Sequence, residues 1–168
     1  TVGGTVSDAH LAGVTVNGVP AVVEGGRFTA EVPLVEGRNT LTAAAVDAVG
    51  LRAESSVVGI ILDTTAPTVT ITSPATGTLV STPTITVQGM VSDENLDSIS
   101  VNGVPAVVDG TSFTADVPLQ EGENQLVAEA VDAAGNTATS PAVVAVLDTL
   151  APAIAIDGSA LPELTDRV

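Results

Sequence analysis

Cysteine, lysine, tryptophan and tyrosine are all absent from the 168 residues, and histidine occurs once. Without cysteine there is no disulfide, no thiolate metal site and no thiol nucleophile. Structural zinc, which favours thiolate and imidazole ligands, is poorly served by one histidine. With no tryptophan or tyrosine there is no aromatic platform of the kind that stacks sugar rings. Only four basic residues, all arginine, oppose twenty acidic ones, a formal net charge of −16. Nucleic acid is excluded as a partner on this ground, because binding it requires a basic face to neutralise phosphates. Anionic membrane surfaces are disfavoured for the same reason. No apolar run reaches the ~18–20 residues that span a bilayer, so no membrane insertion is expected. Without lysine, lysine-based isopeptide cross-links are impossible as well.

What is present is apolar and repetitive. Hydrophobic residues make up 45% of the chain, nearly all valine, alanine, leucine and isoleucine, too many for a disordered acidic tail. VNGVPAVV at 16–23 returns at 101–108, and FTAEVPLVEGRN at 28–39 returns as FTADVPLQEGEN at 113–124. AVDAVG at 45–50 returns as AVDAAG at 130–135, and LDTTAP at 62–67 as LDTLAP at 147–152. The offset is constant, with more than half of the positions from Thr5 to Pro67 identical in the second copy. Such self-similarity marks two homologous units in tandem.

Each unit reads as all-β. TVTIT (68–72), PTITVQGMV (83–91), SISVNG (98–103), SFTADVPL (112–119), NQLVAEAVD (124–132) and PAVVAVLD (141–148) alternate with period two or form short β-branched runs. Asn17-Gly18 and Asn102-Gly103 are hairpin signals, since both residues tolerate positive φ. Pro33 and Pro118 mark strand ends or edges. About seven short strands per unit predict an immunoglobulin-like β-sandwich, with valine, isoleucine, leucine and one phenylalanine filling each core.

The phase of the repeat divides the chain into 1–65, a unit lacking its first strand, then 66–150, a complete unit, then 151–168, the first strand of a next unit. The opening segment of the second unit, 66–89, has no counterpart before Thr1, whereas APAIAIDGSALPELTDRV at 151–168 resembles it. Joining Val168 to Thr1 would give DRVTVGGTVSD, in register with PTITVQGMVSD at 83–93. Two explanations stand: a piece of a longer tandem array, or a protomer whose last strand completes the first domain of the next copy. The second would give head-to-tail, open-ended contacts between copies and hence fibres.

The motifs V-N-G-V-x-A, F-x-x-x-V-x-L-x-E-G-x-N, A-x-D-x-x-G-N and L-D-T-x-A-P resemble bacterial immunoglobulin-like repeats, in particular the glucodextranase domain B-like family and the tandem repeats of large adhesins. That resemblance implies an extracellular or cell-surface stalk, adhesin or fibre module without catalysis, its surface ligand left open. The other reading is an accessory module of a secreted hydrolase. It also implies that calcium can be bound between domains.

Strand order predicts where acidic side chains would gather. The linker entering the first strand of the second unit supplies Asp63, the second-to-third-strand loop Asp93, Asn95 and Asp97, and the last turn Asp132 and Asn136. Six to eight oxygen ligands from carboxylates, carbonyls and water are what calcium requires. The same residue types also make good turns, so an ion is not demanded. At the next junction Asp148 would meet Asp8 and Asp47 of a following unit. There His10, Ala12 and Leu51 replace Asn95, Asp97 and Asn136, so a weaker site is expected.

Overall fold

A computed structural model describes residues 1–155. The segment 156–168, which includes most of the expected third-unit strand, lies outside the described residues. The described chain is all-β and contains no helix, so no helix in it is long and apolar enough to cross a membrane. It divides into two compact units, Thr1–Ala66 with Ala133–Asn136, and Pro67–Asp132 with the rest.

In the second unit, β10 (Thr68–Ser73), β12 (Thr84–Ser92), β16 (Ser112–Pro118) and β15 (Val107–Asp109) form one layer in the order β10-β12-β16-β15. Period-two alternation explains which faces are buried. Along β12, Ile85, Val87, Gly89 and Val91 point inward while threonine, glutamine and Met90 point out. Along β16, Phe113, Ala115 and Val117 do the same. Gly89 pairs directly with Phe113, so the residue without a side chain makes room for the unit's one aromatic ring.

The facing layer is built from β13 (Leu96–Val101), β14 (Val104–Pro105), β17 (Gly122–Leu126), β18 (Ala128–Asp132), β19 (Thr137–Thr139), β20 (Val143–Leu147) and β11 (Thr78–Val80). One predicted strand, 124–132, is split at Val127. There Asn102 stands in for the ladder: its Oδ1 accepts the Val127 N–H at 2.9 Å and its Nδ2 donates to the Gln125 carbonyl at 2.7 Å. Asn102 sits at φ 49° and Gly103 at φ 79°, closing the two-residue hairpin between β13 and β14 that the Asn-Gly pair signalled. The strands β11, β14, β15 and β19 were not anticipated. All are two or three residues long, too short to show a period.

The first unit repeats this plan with β1 (Val2–Thr5), β5 (Arg27–Ala30) and β4 (Val22–Glu24) in one layer. The other layer holds β3 (Val19–Pro20), β2 (Leu11–Val16), β7 (Ala43–Asp47) and β8 (Arg52–Glu54), with β6 (Gly37–Leu41) paired to β9 (Val58–Leu62). Asn17, at φ 49°, makes the same bridge to Thr40 and Thr42. Counterparts of β10 and β11 are missing among its described residues. The consequence is visible in the core: four residues, Val14, Val16, Phe28 and Ala30, form its buried cluster, against fifteen in the second unit. The paired alanines Ala128 and Ala130 are fully buried, whereas Ala43 and Ala45 are only half-buried. In β9, Val58, Ile60 and Ile61 are exposed, while β20 is covered by β11.

Candidate functional site

The acidic residues singled out by the sequence divide by environment. In the second unit, the register Thr68↔Ser92 and Leu96↔Asp132 brings the start of β10, the end of β12, the start of β13 and the end of β18 to one pole. Asp93 and Asp132 therefore meet, with carboxylate oxygens within 4.8 Å of each other. Asp132 is 2% exposed and Asp93 half-buried. The Asp93 Oδ1 accepts the Asn95 N–H at 2.7 Å, which tightens the loop between β12 and β13.

Asp97 departs from expectation. It lies inside β13 rather than in the preceding loop, at a bulge where the register with β18 shifts between Leu96 and Ser98. The bulge inserts an extra residue so that Leu96 packs against the core while Asp97 is exposed. Its carboxylate does not join Asp93 and Asp132.

Asp63 and Asn136 are found together in the first compact unit. Asn136 Nδ2 donates to the Asp63 carbonyl at 3.1 Å, and the Asp63 Oδ1 accepts the Thr65 N–H at 3.1 Å. The residues of the weaker set have local work. Asp8 Oδ1 accepts the His10 N–H at 2.7 Å, the same turn that Asp93 makes. Asp47 Oδ1 accepts the amides of Val49 at 3.0 Å and Leu51 at 2.8 Å. Asp148 Oδ1 accepts the Leu150 N–H at 3.1 Å.

A second constellation is built on two glutamates that the acidic set above does not include. Glu36 Oε1 accepts the Thr64 N–H at 3.0 Å and its Oε2 the Thr64 hydroxyl at 2.8 Å. Glu121 grips Thr149 in the same way, with the hydroxyl at 2.8 Å and the amide at 3.1 Å. The hydrogen bond from the Thr64 amide, then that from its hydroxyl, holds the Glu36 carboxyl below the usual glutamate range. Each clamp ties the residues that leave a unit back onto its own body. The signal was available: Glu-Gly-x-Asn and Leu-Asp-Thr recur together in both copies. Asn39 and Asn124 close the adjoining turns by accepting the amides of Val35 at 2.9 Å and Gln120 at 2.8 Å.

The sequence profile of the family described as "Glucodextranase, domain B" matches residues 1–63 and again 67–147. Bacillopeptidase F of Bacillus subtilis (strain 168) is 38% identical over 119 residues, 71% of this chain. The chain spans only 8% of the length of that relative. Among solved structures, the fibronectin(III)-like modules of Clostridium thermocellum CbhA superpose with a TM-score of 0.52 at 18% identity, covering 85% of this chain and 82% of that one. The latter likeness concerns the β-sandwich fold alone.

Proposed function

The chain belongs to the glucodextranase domain B family, and from that premise we propose a non-catalytic, load-bearing spacer within a larger extracellular or cell-surface protein. One observation carries this reading. In the second unit β11, near the point where the chain enters, pairs in parallel with β20, where it leaves, with register Thr78↔Ala145 to Val80↔Leu147. Tension applied at the two ends pulls these neighbours in opposite directions along their length. Their hydrogen bonds are then sheared together rather than peeled one at a time. The Glu121–Thr149 clamp lies directly beyond β20 on the same line of force.

Stretching the chain by its ends in a force spectrometer tests the proposal. The second unit, residues 67–147, should release in one step whose contour is roughly 27–29 nm at ~3.3–3.6 Å per residue, less the folded separation of its ends. Gradual extension without a distinct force peak would overturn it. A second reading, an accessory module of a secreted hydrolase, is favoured by the likeness to Bacillopeptidase F. The flanking coding sequence separates the two: further repeats support the spacer, a catalytic domain the accessory module.

We also propose calcium as the ion for the acidic pole of the second unit, with Asp93 and Asp132 as its carboxylate ligands and Asn95 beside them. The donors are all oxygen, which fits a hard cation, and a cation beside two carboxylates this close would offset their mutual repulsion. Bound there, calcium would supply that charge and tighten the loop between β12 and β13. Calcium titration by calorimetry should give a binding isotherm that Asp132→Asn abolishes and Asp97→Ala leaves intact. No heat from the unaltered chain removes the ion from the account.

A further inference from the structure

Each unit carries one Asn-Gly pair, Asn17-Gly18 at the tip of the β2–β3 hairpin and Asn102-Gly103 at the tip of β13–β14. In an unstructured chain such a pair is chemically unstable. The amide nitrogen that follows asparagine attacks the side-chain carbon Cγ, and glycine has no side chain to obstruct the approach. Both asparagines are exposed, so water reaches them, and only their conformation stands in the way.

The fold restrains Asn102 in two ways. Positive φ at both central residues, 49° and 79°, makes the turn type I′. As the mirror image of type I, it sets ψ of Asn102 at about +30°. Ring closure needs the Gly103 nitrogen on the Cβ side of the Cα–C bond, whereas at this ψ the nitrogen lies nearly anti to Cβ. The carboxamide is also held across to the break between β17 and β18. Its Oδ1 accepts the Val127 N–H at 2.9 Å, and its Nδ2 donates to the Gln125 carbonyl at 2.7 Å. The Asn102 N–H donates to the Val127 carbonyl at 3.0 Å, so turning the residue breaks all three bonds. Asn17 is held alike, by the Thr40 carbonyl at 2.7 Å and by the Thr42 amide and carbonyl at 2.9 Å each.

We infer that Asn102 and Asn17 are latent modification sites that react only when their unit unfolds, and that the reaction makes unfolding permanent. Once the turn is lost, the Gly103 nitrogen gives up its proton to solvent base and bonds to Cγ. The carboxamide C–N bond breaks, and ammonia leaves after taking a proton from water. Water then opens the cyclic imide at either carbonyl, leaving aspartate or isoaspartate. Neither product restores the bridge. Aspartate has no N–H for the Gln125 carbonyl and sets a negative charge against it. Isoaspartate adds a carbon to the main chain, so a two-residue turn no longer joins β13 and β14 in register. This inference stands whether or not the module bears load.

The test holds the full chain at mildly alkaline pH with and without urea and follows each asparagine by peptide mapping and mass spectrometry. Asn102 should convert to acid in urea and at least about tenfold more slowly when folded, because reaction then waits on opening of the unit. Asn17 should follow the same pattern, with Asn95 and Asn124, which precede leucine and glutamine, as controls. After urea is removed, chains converted at Asn102 are separated by charge and should stay unfolded by circular dichroism. A chain carrying Asn17→Gly and Asn102→Gly, which keeps turns that accept positive φ, should regain its own starting signal. Equal conversion of Asn102 with and without urea would overturn the proposal, and so would no conversion in urea. Full refolding of the converted chains would overturn it too, as would an equal loss of signal in the double variant, which would place the damage elsewhere.

Discussion

Replacing Gly89 by alanine is expected to unsettle the second unit far more than the equivalent change at Gly4 unsettles the first. A Cβ at Gly89 would lie 2.2 Å from Phe113 Cζ, 2.3 Å from Cε1 and 2.3 Å from the Thr70 carbonyl oxygen. Carbon atoms in good contact are about 3.5–4.0 Å apart, so ring and strand must each retreat by about 1 Å or more. The Phe113 ring is 1% exposed and has nowhere to go, and the carbonyl belongs to β10, paired with β12 at this point. Overpacking costs about 1–3 kcal/mol, and one or two ladder bonds lost add about 1 kcal/mol each. The lower backbone entropy of alanine returns about 0.5–1 kcal/mol. The net expectation is a loss of about 2–4 kcal/mol, or roughly 10–30 °C in the unfolding midpoint of a domain this size. At Gly4 the added Cβ would meet Phe28 Cζ at 2.5 Å and Cε1 at 2.6 Å, but no strand lies behind it. Phe28 borders an open cleft and can turn into it, so the cost there should stay within about 1 kcal/mol. Hydrogen exchange read by mass spectrometry assigns the loss to one unit or the other. If Gly4→Ala costs as much as Gly89→Ala, Phe28 has no room to turn into the cleft and the reasoning fails.

Leu126→Ala removes a fully buried side chain and should cost about 2–5 kcal/mol in denaturant unfolding, with Leu41→Ala, 8% exposed in the thinner core, costing less. Asn102→Ala loses two bridging bonds and puts a Cβ residue at positive φ, for about 1–3 kcal/mol, whereas Asn102→Gly should keep the turn and lose less; hairpin amide exchange distinguishes them. Glu36 has a folded-state pKa below its unfolded value, so its contribution is complete above the ordinary glutamate pKa of about 4.3 and disappears as pH falls through the lower, folded value. The Thr64 amide proton should report this by NMR as an upfield shift on acidification, as its bond to the carboxylate is lost, an effect that Glu36→Gln removes.

The sequence alone determined the two-unit repeat, the all-β class and the hairpins, because these are local. Period-two alternation shows which side chains turn inward, and Asn-Gly is one of few pairs that accept two successive positive φ values. Composition likewise indicated the kind of core, one phenylalanine set among aliphatics, whereas the glycine across from it came from the sheet register. Other features depended on what packs beside a residue. Asp97 belongs to a bulge, since Leu96 had to reach the core, and no spacing rule distinguishes that bulge from a loop. The Glu36–Thr64 and Glu121–Thr149 clamps join residues 28 positions apart, and only the pairing of β9 with β6 and of β20 with β17 brings them together. The parallel pairing of β11 with β20 is of the same kind, decided by strands too short to announce themselves. The cleft of the first unit is of this kind too, since Val6, Leu11, Phe28, Ala43 and Ala45 meet there with Asp8, Asp47 and Arg52 only once the strands have packed.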